Sequence, residues 1–280
     1  MTQQKPLLML AAAGLIVFGS AAQGAIISHR YSFDGNANDS VGNADLTLNG
    51  SAAISGSVLD LPGGTTRTNN ASATGGSLTE LASTINSSSA ITIEAWFNQD
   101  AQTGWAKIFM AGNSTGEYEY LDITPYRGNT TQLGITINDS SHDEAVLGSQ
   151  TLGTDTEHYV AAIWDTTTGY MSITVGQVGG TLTTYTATMG GNTLADIPIN
   201  EFYLGSAVGF GDPDFNGQID ELRIWKGVLT GDEITRNFEA GPNSIVPEPS
   251  TVMGMSSLLA SMGIGAAWRR IRVARRRHKG

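Results

Sequence analysis

From residue 26 to residue 240, apolar and polar residues alternate one by one in short runs. A period of two marks strands that bury one face, whereas helices repeat every 3.6 residues. Ile91, Ile93, Ala95 and Phe97, interleaved with Thr92, Glu94 and Trp96, show the pattern most clearly. The alternation predicts strands over 26–33, 46–48, 57–61, 91–97, 107–111, 117–124, 132–137, 157–164, 169–175, 182–188, 201–206 and 218–225. Asp165–Gly169 reads as a hairpin and Asn216-Gly217 as a turn. Residues 65–89 are polar and loop-like, with one helical turn around Leu78–Ile85, and 138–144 reads as an exposed acidic loop. A short helix after Thr230 opens with a capping box, Thr230 and Glu233, and stops before Gly241-Pro242. Many short strands and few helices predict an all-β, two-sheet antiparallel sandwich over residues 25–243.

The last predicted strand carries an odd carboxylate. Strict alternation puts Ile219, Glu221, Arg223 and Trp225 on one face, and Asp220, Leu222 and Ile224 on the other. Asp220 then sits at the edge of an apolar face, where an ionised carboxylate is costly unless paired or bound to a metal. It either accepts backbone N–H bonds at the strand entrance or coordinates a cation. Two loops also place oxygens at alternate positions, as a calcium loop does. Asp34, Asn36 and Asn38 form one, but its sixth position is Asp39 and its twelfth is Asp45. Asp212, Asp214 and Asn216 form the other, with Gly217 sixth and Arg223 in place of the twelfth acid. His29 reads as a half-buried core histidine, with no second histidine near it.

Composition adds two constraints. There is no cysteine, so no disulfide holds this chain, and a bound ion can serve as the staple instead. Residues 25–248 hold all 26 acidic residues against seven basic ones. Nucleic acid needs clustered Lys and Arg, so it is excluded as a partner of this part; cations and neutral sugars suit it.

Both ends read as address labels. Residues 1–24 form a signal peptide, with Lys5, an apolar run from Leu7 to Phe18 and a small-residue cleavage site at Ala22-Gln23-Gly24. After the domain come Pro247-Glu248-Pro249, an uncharged apolar stretch over 251–268 and an Arg-rich end over 269–280. The stretch is a short transmembrane helix, and the arginines hold its end in the cytoplasm. A nucleic-acid tail is the rival reading of those arginines, and the signal peptide argues against it. Motif, span and basic end resemble the PEP-CTERM sorting signal of Gram-negative bacteria. The resemblance implies transient anchoring in the inner membrane, cutting by an exosortase, and delivery to the cell surface or an extracellular, biofilm-type matrix.

Six segments resemble, in order, those of LamG-like jelly-roll domains of the concanavalin A-like lectin/glucanase group. They are HRYSFDGNANDSVGN (29–43), ITIEAWFN (91–98), HYVAAIWD (158–165), YMSITVG (170–176), FYLGS (202–206) and FNGQIDELRIWKGVLTGDEI (215–234). The resemblance implies a jelly roll and a structural calcium ion tying the first strand region to the last. Asp220 is its leading ligand and Asp34 the second, with Asp212, Asp214 and Asn216 as outside candidates. It also raises catalysis. Retaining glycosidases need two carboxyl groups about 5–5.5 Å apart. Glu117 and Glu119 come nearest the glucanase pattern, but the central Asp is missing and Asp122 has the wrong parity. No catalytic residue is assigned. The expected activity is non-catalytic binding of extracellular polysaccharide through Trp105, Tyr118, Tyr120 and Tyr126; a glycan hydrolase or a purely structural surface protein are the alternatives.

Overall fold

Alternating strands bury their apolar faces only by stacking, and here they do so as two sheets. The computed structural model describes residues 24–245 apart from 65–69, 116–118, 129–131 and 210. The signal peptide before Gly24, the Pro247-Glu248-Pro249 motif, the membrane span, the basic tail, Glu117 and Tyr118 lie outside the described residues. No described helix is long and apolar enough to cross a membrane.

In chain order the first strands are β1 (Ile26–Tyr31), β2 (Thr47–Leu48), β3 (Ala53–Ser55), β4 (Val58–Gly64) and β5 (Ala71–Ser72). Helix α1 (Gly75–Asn86) follows, then β6 (Ala90–Gln99), β7 (Phe109–Gly112), β8 (Tyr120–Thr124), β9 (Gly134–Asn138) and β10 (Asp143–Leu147). The rest are β11 (Glu157–Asp165), β12 (Tyr170–Gln177), β13 (Thr183–Thr188), β14 (Glu201–Leu204), β15 (Asp214–Lys226) and helix α2 (Gly231–Ala240). The back sheet runs β13-β12-β11-β6-β15-β4-β3, with β1 also on β15; the front sheet runs β10-β9-β8-β7-β14-β5-β2. All pairings among the described strands are antiparallel. This is a two-sheet sandwich with jelly-roll character.

Between the sheets lie Ile91, Ile93, Ala95 and Phe97 of β6, facing Phe109, Leu121, Ile123, Ile135 and Phe202 of the front sheet. A second apolar layer covers the outside of the back sheet. There α2 sets Ile234 and Phe238 on Trp96, Tyr159 and Trp225. The predicted capping box is present: Thr230 Oγ1 accepts from the Glu233 N–H, and Glu233 accepts from the Thr230 N–H at 2.7 Å. Such a cap contributes about 1 kcal/mol.

β15 departs from its predicted alternation. Its register against β6 slips between Ile219 and Glu221, which makes Asp220 a bulge. The extra residue reverses parity. Ile219 joins Leu222 and Ile224 in the inter-sheet core, while Glu221, Arg223 and Trp225 face α2. Asp220 therefore does not sit on the apolar face. The strand also starts earlier, at Asp214, so Asn216-Gly217 is strand and not turn. The glycine is needed for a different reason: at φ 154° it passes so close to β6 that a Cβ would collide with the Asn98 carbonyl oxygen.

Three pieces fall where no strand is predicted: β3, β5 within the loop-like stretch, and β10, which takes the end of the acidic loop. Helix α1 is a full 12 residues. His29 is fully buried, not half-buried. Its Nδ1 meets Asp39 Oδ2 at 2.6 Å and its Nε2 meets Thr84 Oγ1 of α1 at 2.8 Å.

Candidate functional site

In the front sheet, core-facing Phe109, Ala111, Leu121, Ile123, Phe202 and Leu204 alternate with residues on the opposite, outer face. Those outer residues are Met110, Tyr120, Asp122, Thr124, Tyr203 and Ser72. Residues 205–209 leave β14 and cross this face as an arch, and 211–213 lead back into β15. Ala207 and Val208 pack on Met110 and Tyr203, and the Val208 N–H points at Met110 Sδ, 3.2 Å away. The arch splits the face in two.

On the β8–β9 side, Trp105 is 43% exposed. Its ring is not bare: Lys107 Nζ lies 5.2 Å and Arg127 Cζ 5.5 Å from the ring centroid. Lys107 is buried beneath the arch. Its ammonium donates to Asp212 Oδ2 at 3.3 Å and lies 3.5 Å from Asp122 Oδ2. Thr124 Oγ1 donates to that same oxygen at 3.1 Å, while Asp122 Oδ1 is buried with no hydrogen-bond partner. Tyr126 packs by Gly104, next to Trp105, whose N–H donates to the Tyr126 carbonyl. Tyr120 stands at the other end of β8; burial, then Asp122, pushes its hydroxyl pKa up. Trp105 and Tyr126 thus come together, Tyr120 lies apart on the same face, and Asp212 joins them only through Lys107. Glu119 is tied to Asn113 Nδ2 at 2.9 Å.

The other carboxylates gather on the outer face of the back sheet. The bulge turns Asp220 toward Glu157 of β11, with Asp34 and Glu221 near. Burial first, then Glu157, Glu221 and Asp34, push Asp220 up to about 6. Burial raises Glu157 as well, against a hydrogen bond with Asp220. Asp220 Oδ1 is buried with no hydrogen-bond partner. Asp220 and Glu157 are hydrogen-bonded to each other, and Asp34, Glu157 and Asp220 do not gather ligand oxygens within 4.8 Å of one another. Asp220 thus meets Glu157, an acid that the sequence did not suggest, while Asp34 acts on it only through its charge. Asp214 accepts from the Ser206 hydroxyl, and Asn216 pairs with Pro62 in β4; neither joins Asp212.

Two buried networks flank this cluster. Glu221 takes Arg30 through two bonds of 2.8 Å, Arg223 Nε, and the Asn243 N–H at 2.6 Å. Burial acts against it, but Arg30 and Arg223 hold the Glu221 pKa down. Glu94 accepts from Tyr159 Oη, from Trp225 Nε1 at 2.7 Å and from Asn237 Nδ2 of α2 at 3.0 and 3.2 Å. Among the described residues, the one set of three acids or histidines with ligand atoms within 4.8 Å of one another is His29, Asp39 and Glu80. Asp39, however, already accepts the N–H groups of Arg30, Val41, Gly42 and Ala44. Burial alone would raise its pKa; His29 and those N–H groups hold it at about 2. This is turn chemistry, with its lone pairs taken.

Residues 70–235 match the Laminin_G_3 family of the concanavalin A-like lectin/glucanases superfamily. The chain belongs to that superfamily. No curated protein matches this superfamily member in sequence. Among solved structures it resembles domain 4 of AbnA, a GH43 extracellular arabinanase from Geobacillus stearothermophilus, in complex with arabinotriose. Identity there is 21%, coverage 76% of this chain and 98% of that one, and the TM-score 0.56. A leech intramolecular trans-sialidase matches at 16% identity and TM-score 0.51, over 73% of this chain and 28% of the leech enzyme. The sialidase CBM40 of Ruminococcus gnavus, bound to α2,3-sialyllactose, matches at 15% identity and TM-score 0.49, over 70% and 98%. The arabinanase-domain and trans-sialidase likenesses are of fold alone.

The sequence missed Lys107 and Asp122 as a pair, because only the stacking of β7 on β8 joins them. It also missed Tyr203, which alternation between core-facing Phe202 and Leu204 could have flagged.

Proposed function

We propose that this laminin-G-like domain is an exported, non-catalytic carbohydrate-binding module of the cell surface or extracellular matrix. The observation that carries the reading is the outer face of the front sheet. In a superfamily that includes lectins, it sets ring, hydroxyl and carboxyl groups side by side on rigid strands. Sugars are held by that mixture, since they offer C–H faces to rings and hydroxyl pairs to polar groups.

The same face argues against hydrolysis. Asp122 and Asp212 converge on the Lys107 ammonium. An ion pair stands where a glycosidase would need a proton-donating acid and a free carboxylate. A calcium ion at Asp220 and Asp34 would tie the start of the chain to its last strand; it would supply charge neutralisation there, and Asp34 and Glu157 would have to close on it, since the three acids do not lie within 4.8 Å of one another. The signal peptide and the PEP-CTERM-like tail support export, exosortase processing and display next to an extracellular polysaccharide.

The test is an oligosaccharide array probed with the purified full chain, with hydrolysis assayed on every ligand bound. Binding with no new reducing ends is the expected outcome. Release of sugar would favour the hydrolase, and a blank array would favour a purely structural protein.

A further inference from the structure

Among the described residues, every strand edge of the two sheets but one is blunted. An edge shows unpaired N–H and C=O groups, and proteins guard it with shortness, charge or a bulge. β2 has two residues and β3 three. β10 carries Asp143 and Glu144. β1, laid on β15, has a register shift between Ile27 and His29 and carries Arg30. β13 ends the back sheet with none of these devices. It runs six residues, Thr183–Thr188, against β12 without a register shift. Among the described residues no second strand pairs with it.

Its side chains suit a copy of itself. Tyr185 and Ala187 turn inward and pack on the core, while Thr184, Thr186 and Thr188 are exposed. Thr184 Oγ1 is already held 2.8 Å from Thr174 Oγ1 of β12. Threonines facing each other across an antiparallel pair attract, whereas like charges there repel. Charge then selects the partner. Residues 25–248 hold 26 acidic residues against seven basic ones, so two copies repel one another over most of their surface. Between Asp165 and Asp196 there is no charged residue, and that stretch includes all of β12 and β13. Here two copies of an acidic domain meet without opposed charges.

We infer that β13 is the interface of a two-fold dimer of this chain, its two copies antiparallel and the back sheets joined into one. Pairing of identical edges uses both of them up, so the assembly closes at two. The axis of an antiparallel pair stands normal to the sheet, so both front faces look the same way. The inference does not depend on what those faces bind. It is tested by light scattering of the purified full chain over a range of concentrations. Two variants run beside it: Thr184→Lys with Thr186→Lys, and Ser55→Lys, which places a charge on the exposed β3 edge. Expected is a dimer that dissociates on dilution and tightens when about 0.5 M salt screens the acidic surfaces. The double substitution should weaken it by about tenfold or more, because juxtaposed like charges oppose pairing, and Ser55→Lys should leave it intact. Should the double substitution lower the melting temperature, hydrogen exchange of the wild type decides: β13 amides are protected in concentrated protein and exchange on dilution. A chain that stays monomeric up to about 100 μM, too weak for a specific interface, overturns the inference. So does a dimer that survives the double substitution, one lost in Ser55→Lys instead, or β13 exchange that ignores concentration.

Discussion

Asp220 occupies the bulge of β15 and faces Glu157, Glu221 and Asp34, with Arg30 and Arg223 engaged by Glu221. Its pKa in the folded metal-free chain lies near 6, above the ordinary 3.8. A raised acid contributes stability that is complete below its ordinary value and lost as pH climbs through its folded value. Metal-free protein should therefore lose stability from about pH 4 to pH 7. Asp220→Asn should melt higher than wild type in chelator at pH 7.5, with the difference gone near pH 4. Added calcium should raise the wild-type melt and raise that of Asp220→Asn much less. A variant that melts lower than wild type in chelator at pH 7.5 would show that Asp220 is stabilising as an ion, without metal. Glu94 shifts in the same direction in different surroundings, since its buried carboxyl meets three donor side chains and the Arg223 guanidinium. Burial raises its pKa, with Arg223 acting against that.

At the scale of elements, Glu94 is the polar bolt between β6 and α2. Glu94→Ala leaves Tyr159, Trp225, Asn237 and Arg223 facing a void. Breaking a buried charged pair costs about 3–5 kcal/mol. Urea unfolding should show a loss of that order, and a loss of under about 1 kcal/mol would mean that α2 is held by its apolar face alone. How well the pattern of residues announced these elements depended on their length. β6 and β11 show their alternation over many residues, and the Thr230–Glu233 cap is local, so all were legible. β3 and β5 are too short to have a period. The bulge at Asp220 was hidden because strands that pair over it create the extra residue; nothing in Gln218–Trp225 itself breaks the alternation. Moving Ile219 out of the core by the unbulged register would cost about 1.5–3 kcal/mol for that side chain alone. Site residues followed the same rule. Asp34 and Asp220 lie in segments whose family resemblance is readable, while Glu157, Lys107 and Asp122 acquire their partners only when distant strands pair.

For the whole molecule, the same chain carries the proposed binding face on the front sheet and an acid cluster on the back sheet, and its last described residues are pinned at the back. The Asn243 N–H is bound by Glu221 and the Ser244 carbonyl by Arg223 Nη2, just ahead of Pro247-Glu248-Pro249. That holds the last described residues against the domain, ahead of the proposed sorting motif. Replacing Pro247, Glu248 and Pro249 with alanine should leave an uncut, heavier chain in the membrane fraction. A normal mature mass in that variant would remove the motif from the account. The central claim concerns the front face, and its most direct measurement is isothermal titration of the purified chain with its tightest array glycan in calcium, with reducing ends counted in the same sample. Saturable binding with a flat count is the predicted result. A titration without binding heat for any glycan, or a count that rises with time, would contradict it.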